Sequence, residues 1–188
     1  MSNFIAVYDA NVLYPAPLRD LLMRLALEDM YRAKWTNLIH DEWIRGVLRQ
    51  RPELALELQR TRTLMDAHVR DSLVEEYEYL IPALDLPDAD DRHVLAAAIH
   101  CHASVIVTFN LKDFPADKLA NYNIEAQHPD DFIVDLIDLN LAKVLGAVAK
   151  QRKALKNPPK SADELLDILL QQQLPQTVEL LRPYTLLL

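Results

Sequence analysis

The strongest constraint on this chain is a pair of short apolar runs, each ending at polar groups. Phe4-Ile5-Ala6-Val7-Tyr8 stops at Asp9, and Ser104-Val105-Ile106-Val107-Thr108 leads to Asn110 and Asp113. Apolar runs of this length, rich in β-branched residues, read as buried strands. Between them lie helical patterns. One follows Pro15 and Pro17 through Leu18, Leu21, Leu22 and Leu25, a second spans Leu38 to Leu48, and a third after Pro52 carries Leu54, Leu58 and Leu64. Pro87-Asp88-Ala89-Asp90-Asp91 then opens an alanine-rich helix through His100. Strands alternating with helices predict an α/β fold whose parallel sheet is covered on both faces. The segment Tyr79-Leu80-Ile81 carries no clear pattern.

Beyond about Pro129 the signal is helical throughout. An apolar-periodic segment runs from Phe132 to Leu155, followed by the break Asn157-Pro158-Pro159. A helix then starts at Ser161, with Glu164 as its capping-box partner. The expected division is residues 1–130 as an α/β domain and 131–188 as an appended all-helical C-terminal region.

Composition removes several chemistries. A single cysteine, Cys101, excludes an internal disulfide and a multi-cysteine zinc site. Two glycines in 188 residues leave no room for a Walker loop or a dinucleotide fingerprint. No stretch approaches a membrane span, and the N-terminus lacks the basic segment and cleavage site of a signal peptide, so a cytoplasmic protein is expected. The net charge of −8 argues against nucleic-acid binding over the whole surface, yet suits local basic patches around an acidic, metal-filled centre.

In an open parallel sheet, ligands bind beyond the carboxyl ends of the strands. That gives Asp9, and Thr108, Asn110 and Asp113 after the second run, a site-forming role that other loop residues lack. Helix capping is the plainer alternative for each. Asp91 lies at the centre of the stripe formed by Val94, Leu95, Ala98 and His102, so its carboxylate is expected to point inward, where burial is costly unless a cation meets it. Asp88 and Asp90 read as an acidic helix N-terminus, with Asp90 an accessory candidate. Glu42 borders the apolar side of its helix, and Gly46 one turn later could leave room for a backbone or ligand. Arg45 and Arg49 could instead pair with Glu42 at helical spacing, or contact phosphate. Converging carboxylates are the donor set of Mg²⁺ or Mn²⁺, and such ions serve phosphodiester hydrolysis.

At these positions the chain resembles the PIN-domain family. The matching segments are Asp9-Ala10-Asn11, Glu42, Asp91-Arg92-His93-Val94 and Thr108-Phe109-Asn110-Leu111-Lys112-Asp113-Phe114, within residues 4 to 130. It is similar in particular to VapC-type toxins, including a subgroup with a helical C-terminal extension. The resemblance implies a PIN-like sheet and a ribonuclease dependent on Mg²⁺ or Mn²⁺, the toxin of a toxin-antitoxin pair. It also implies a VapB-type antitoxin that occludes the site, and a homodimer. Asp9, Glu42, Asp91 and Asp113 would hold the metals. Asn11 and Asn110 would support them, with Thr108, Asp90 and His93 nearby, while water attacks phosphorus in line with the departing 3′ oxygen. Some family members carry an acid at the position of Asn110, so Asp113 or a bridging water takes that role here.

Other readings compete. His93, His100, His102, Cys101 and His40 fit no standard zinc spacing; Cys101 reads as a small packing residue. A phosphatase with a nucleophilic aspartate would need Asp-x-Asp where this chain has Asp9-Ala10-Asn11. A non-catalytic PIN-like RNA- or partner-binding module is the rival from another class. Lys143, Lys150, Arg152, Lys153, Lys156 and Lys160 form a run without acids, in which Lys150, Arg152 and Lys153 are candidate RNA contacts or simply a solvated helix face.

Overall fold

The computed structural model describes residues 4–188, which divide into two compact units. The first comprises residues up to Tyr14 and Tyr31–His128; the second comprises Pro15–Met30 and Pro129–Leu188. The chain thus leaves the first unit after Tyr14 and returns at Tyr31. The units part between His128 and Pro129 and again around Pro15–Met30, a different partition from 1–130 and 131–188. The transfer of residues 15–30 to the helical unit is a difference that helical periodicity alone could not reveal, because it depends on which partner covers the apolar stripe.

In the first unit, strand β1 (Ile5–Tyr8) leads into a single turn of helix, α1 (Ala10–Leu13). The chain later returns as β2 (Arg32–Lys34) and the helices α3 (Asn37–Gln50) and α4 (Ala55–His68), named here after α2 of the second unit (Ala16–Ala26). A 3₁₀ turn over Glu78–Ala83 accounts for the segment without a pattern. Helix α5 (Arg92–His100), β3 (Val105–Val107), the short α6 (Ala116–Leu119) and β4 (Glu125–Gln127) complete the unit. The strands form a parallel sheet in the order β2-β1-β3-β4. The two expected strands are its centre, and both unexpected ones flank them. Parallel strands buried on both faces read as apolar runs, whereas β2 carries Arg32 and Lys34 and β4 carries Glu125 and Gln127, so neither shows one.

Helix α3 is anchored by a polar chain inside the apolar core. The Trp43 indole N–H can only donate, and it meets His40 Nδ1 at 3.0 Å. His40 must therefore carry its proton on Nε2, which donates to Asp66 Oδ1 at 3.0 Å; Trp35 Nε1 donates to the same oxygen at 2.8 Å. His40 is fully buried, and Trp35 stacks on Tyr8 of β1 with ring centroids 6.1 Å apart. The network ties α3 and α4 to the sheet. Gly46 of α3 has its explanation here too: a Cβ would lie 3.1 Å from the Tyr14 ring. The space beside Glu42 expected for a ligand is filled by that side chain.

The helical unit contains α2 and α7 (Pro129–Ala154), α8 (Ala162–Gln171) and α9 (Pro175–Leu181). Leu18, Leu21, Leu22 and Leu25 make the buried stripe of α2, which packs chiefly on α7. α7 is broken at Asn140, whose backbone leaves the helical region and whose side chain accepts from Lys143 N at 3.1 Å, capping the second half. The capping box at α8 is present: Glu164 N donates to Ser161 Oγ at 3.2 Å and Ser161 N to Glu164 Oε2 at 2.8 Å. α9 is capped from a distance. The buried Asp130 carboxylate accepts from the N–H groups of Gln176 and Thr177, both at 2.9 Å, satisfying first-turn donors that helix geometry leaves bare.

Burial holds the His40 pKa below its ordinary 6.5, so the folded chain keeps this imidazole neutral. The unfolded chain binds the extra proton first, so the network's contribution is complete above about pH 6.5 and shrinks as pH falls below it. We expect the urea midpoint to drop from about pH 7.5 to about pH 5.5, and His40→Gln, though less stable, to lose part of that slope. An unchanged slope in the variant would remove the titration of His40 as its cause.

Candidate active site

Asp9 follows β1 and Thr108 follows β3, and the parallel pairing of Tyr8 with Val107 sets the two side by side. Thr108 Oγ1 donates to Asp9 Oδ2 at 2.7 Å. The same hydroxyl accepts from Asn11 Nδ2 and from Asn110 N, each at 3.0 Å, so its one donor and two lone pairs are all used. Asn11 spends its second amide proton on Asp9 Oδ2 at 2.7 Å and accepts from Phe109 N at 3.1 Å. Asn11 is oriented without ambiguity by these bonds, because only its oxygen can serve Phe109 N–H. Asp9 is almost entirely buried. Burial pushes its carboxyl pKa up, with Glu42 adding to the rise, while Thr108 and the Ala10 amide oppose it.

Glu42 reaches the same edge from α3. Its partner is neither Arg45 nor Arg49 but His93, the second residue of α5, whose Nε2 lies 3.0 Å from Glu42 Oε1. Since a carboxylate only accepts, the buried His93 donates from Nε2–H, while its Nδ1 is buried without a hydrogen-bond partner. Arg45 and Arg49 lie on the exposed side of α3. Asp113 stands in a 3₁₀ turn after β3 and accepts from the Asn110 side chain. That bond gives Asn110 its place: it holds an acid instead of being one.

Asp91 ends a 3₁₀ turn and precedes α5, half-buried. Its pKa is raised from 3.8 to about 7, first by burial, then by the charges of Asp9, Asp88 and Asp113, with His93 relieving it least. The inward stripe expected below it holds for Val94, Leu95 and Ala98, which are buried. His102 departs from it: the helix ends at His100, and His102 is exposed with a left-handed backbone. Asp88 caps the 3₁₀ turn by accepting from Asp90 N at 2.9 Å, and both Asp88 and Asp90 are exposed. Of the two, Asp88 is the residue whose charge reaches Asp91. Among the described residues, no group of three or more His, Cys, Asp or Glu side chains is gathered tightly enough to hold a metal ion by itself.

The basic run in the helical unit is engaged largely with its own unit. Lys150 pairs with Glu28 at 2.5 Å. Arg152 donates to the main-chain oxygens of Leu188 and Lys160 at 2.7 and 3.3 Å. Arg152 is therefore a strut of the helical unit, and the run is not a uniform free cationic face. Lys153 remains exposed on α7.

Two outcomes follow. Thr108→Val keeps the shape but removes one of the donors to Asp9 and the shared acceptor of Asn11 Nδ2 and Asn110 N–H, so we expect a stability loss on the order of 1–3 kcal/mol by denaturant unfolding; a loss within error would show the knot to be dispensable. Asp91→Asn should act oppositely. A carboxyl whose folded pKa is raised contributes less as pH rises from about 4 through 7, so in chelator the variant should melt above the parent near about pH 8 and lose that advantage near about pH 5. A lower melting temperature at both pH values would contradict the repulsion.

Residues 6–112 match the PIN domain family, and residues 129–183 match the VapC50 C-terminal domain. Over 86 residues the chain is 48% identical to a protein of Mycobacterium tuberculosis (strain ATCC 25618 / H37Rv) that bears the name "Putative ribonuclease VapC50". The match covers 46% of this chain and 50% of that relative, so it spans half of the relative's length. No solved structure matches the chain. With the family match extending over more than half of its residues and the strand-end acids at one edge of a parallel sheet, the chain belongs to the PIN-domain family.

Proposed function

We propose that this chain is a divalent-metal-dependent endoribonuclease and the toxin of a VapBC-type pair. The observation that carries the reading is Asp91, a carboxyl driven to a pKa of about 7 by burial and by the charges of Asp9, Asp88 and Asp113. Folding has gathered like charges at a cost that a bound cation would offset. The donors are hard oxygens, which suits Mg²⁺ or Mn²⁺. Mg²⁺ keeps several waters and needs only one or two carboxylates directly, so the looseness of the cluster fits a hydrated ion better than an all-protein cage.

Asp9, Glu42, Asp91 and Asp113 would hold the metal. When bound, a divalent ion supplies an activated water and neutralises charge on a phosphoryl oxygen. The remaining work belongs to the chain. Thr108 and Asn11 hold Asp9 in one orientation, His93 turns Glu42, and Asn110 steadies Asp113. Such supports commonly carry about 10–100-fold in metal affinity or activity. Among the described residues Asp91 has no comparable clamp, which makes it the acid able to adjust to ligand and substrate. RNA as substrate and a VapB-type antitoxin as partner rest on the relative's name and on the match of residues 129–183. Among the described residues no helix is long and apolar enough to cross a membrane.

The test is cleavage of total and transfer RNA by purified protein with Mg²⁺ or Mn²⁺, with chelator, and by Asp91→Asn. We expect metal-dependent cutting that the variant lacks, and a His93→Phe protein that needs about 10–100-fold more metal. Absence of cutting by folded, antitoxin-free protein under either metal would favour a binding module with a PIN shape.

A further inference from the structure

A second cluster of charged groups lies at the opposite pole of the first unit. Helix α5 starts beside Asp91 and ends at His100, a rise of roughly 13 Å. There His100 and Cys101 line a cavity of about 300 Å³ together with Arg32, Lys34 and Glu75. Lys34 is 9% exposed, and its ammonium donates to the main-chain oxygen of Asp71. A carbonyl does not neutralise it. Burial and the neighbouring Arg32 charge pull its pKa below the ordinary value, more than Cys101 and Asp71 restore. Among the described residues the ion-pair partner of Arg32 is the Asp71 carboxylate at 3.9 Å, and that group is 80% exposed. So long and solvated a pair holds weakly and gives way to a better anion. Glu75, the acid in the lining, is exposed at the rim.

An aromatic surface adjoins these cations. Tyr79 is 71% exposed, unusual for a ring of its size, and meets the His100 ring edge to face at 6.1 Å between centroids. Guanidinium and ammonium groups recognise phosphate, and exposed aromatic rings beside them take nucleobases by stacking. We infer that this pocket binds a nucleotide, with the phosphate between Arg32 and Lys34 and the base against Tyr79 and His100. The site is distinct from the carboxylate edge, needs no metal, and stands whether or not the ribonuclease reading holds. The nucleotide is either free or part of an RNA strand.

The experiment titrates the full chain, in chelator, with inorganic phosphate, adenosine 5′-monophosphate and a short oligoribonucleotide. Cys101 is the chain's sole cysteine and lines the pocket, so its alkylation rate at alkaline pH reports occupancy at this place alone. Saturable protection of Cys101 by the nucleotide is expected, weakened about tenfold or more by Arg32→Gln, an exposed position that leaves the fold intact. Tyr79→Ala should lower the preference for nucleotide over phosphate while leaving phosphate binding in place. Protection must also persist in Asp91→Asn. An oligoribonucleotide protecting at about tenfold lower concentration than the mononucleotide would identify an RNA strand as the source; equal concentrations would identify a free nucleotide. No protection at millimolar ligand, protection indifferent to Arg32→Gln, or protection lost in Asp91→Asn would overturn the inference.

Discussion

The hydroxyl of Thr108 is the point on which the acidic edge turns. It joins residues 99 positions apart, giving its proton to Asp9 and receiving bonds from Asn11 and Asn110. A buried carboxylate survives in a low-dielectric setting only when donors satisfy it, and here the donors come from the ends of the two central strands. Parallel pairing of β1 with β3 makes this possible: register decides which strand-end residues become neighbours. Asn110, bonded to both Thr108 and Asp113, carries the same organisation one acid further.

The edge is electrostatically unfavourable as it stands, and that is informative. The protein gains stability from the Trp35, His40, Trp43 and Asp66 network and from the packed sheet, and gives some of it back where Asp9, Asp88, Asp91 and Asp113 repel one another. Supports on three of the acids and none on Asp91 divide the site into a rigid part and an adjustable one. Binding sites commonly combine the two, since a preorganised frame lowers the cost of placing a ligand.

Much of this was legible in the chain because it is locally encoded. An apolar run followed by Asp9, another followed by Thr108-Phe109-Asn110, and Asp91 at the head of an alanine-rich helix each announce a strand end or helix start. What could not be read was tertiary. β2 and β4 are three-residue strands carrying charge or amide groups, as sheet edges often do. The partnership of Glu42 with His93 crosses 51 positions. Gly46 suggested space, and only the fold reveals Tyr14 in it. Arg152 looked like a surface cation among lysines until its main-chain acceptors were in view.

The placement of α2 in the helical unit has a consequence for how the chain is made. Its leucine stripe emerges from the ribosome near residue 26, while the partner helix begins at Pro129. Roughly a hundred residues must be added in between, a wait of about 5–20 s at ordinary translation rates. For that interval the growing polypeptide carries an amphipathic helix with no native cover, inside a segment whose flanks can already begin to form a sheet. The helices from Pro129 onward therefore close a surface opened about a hundred residues earlier, and a chain interrupted before them would be a natural client for holdase chaperones.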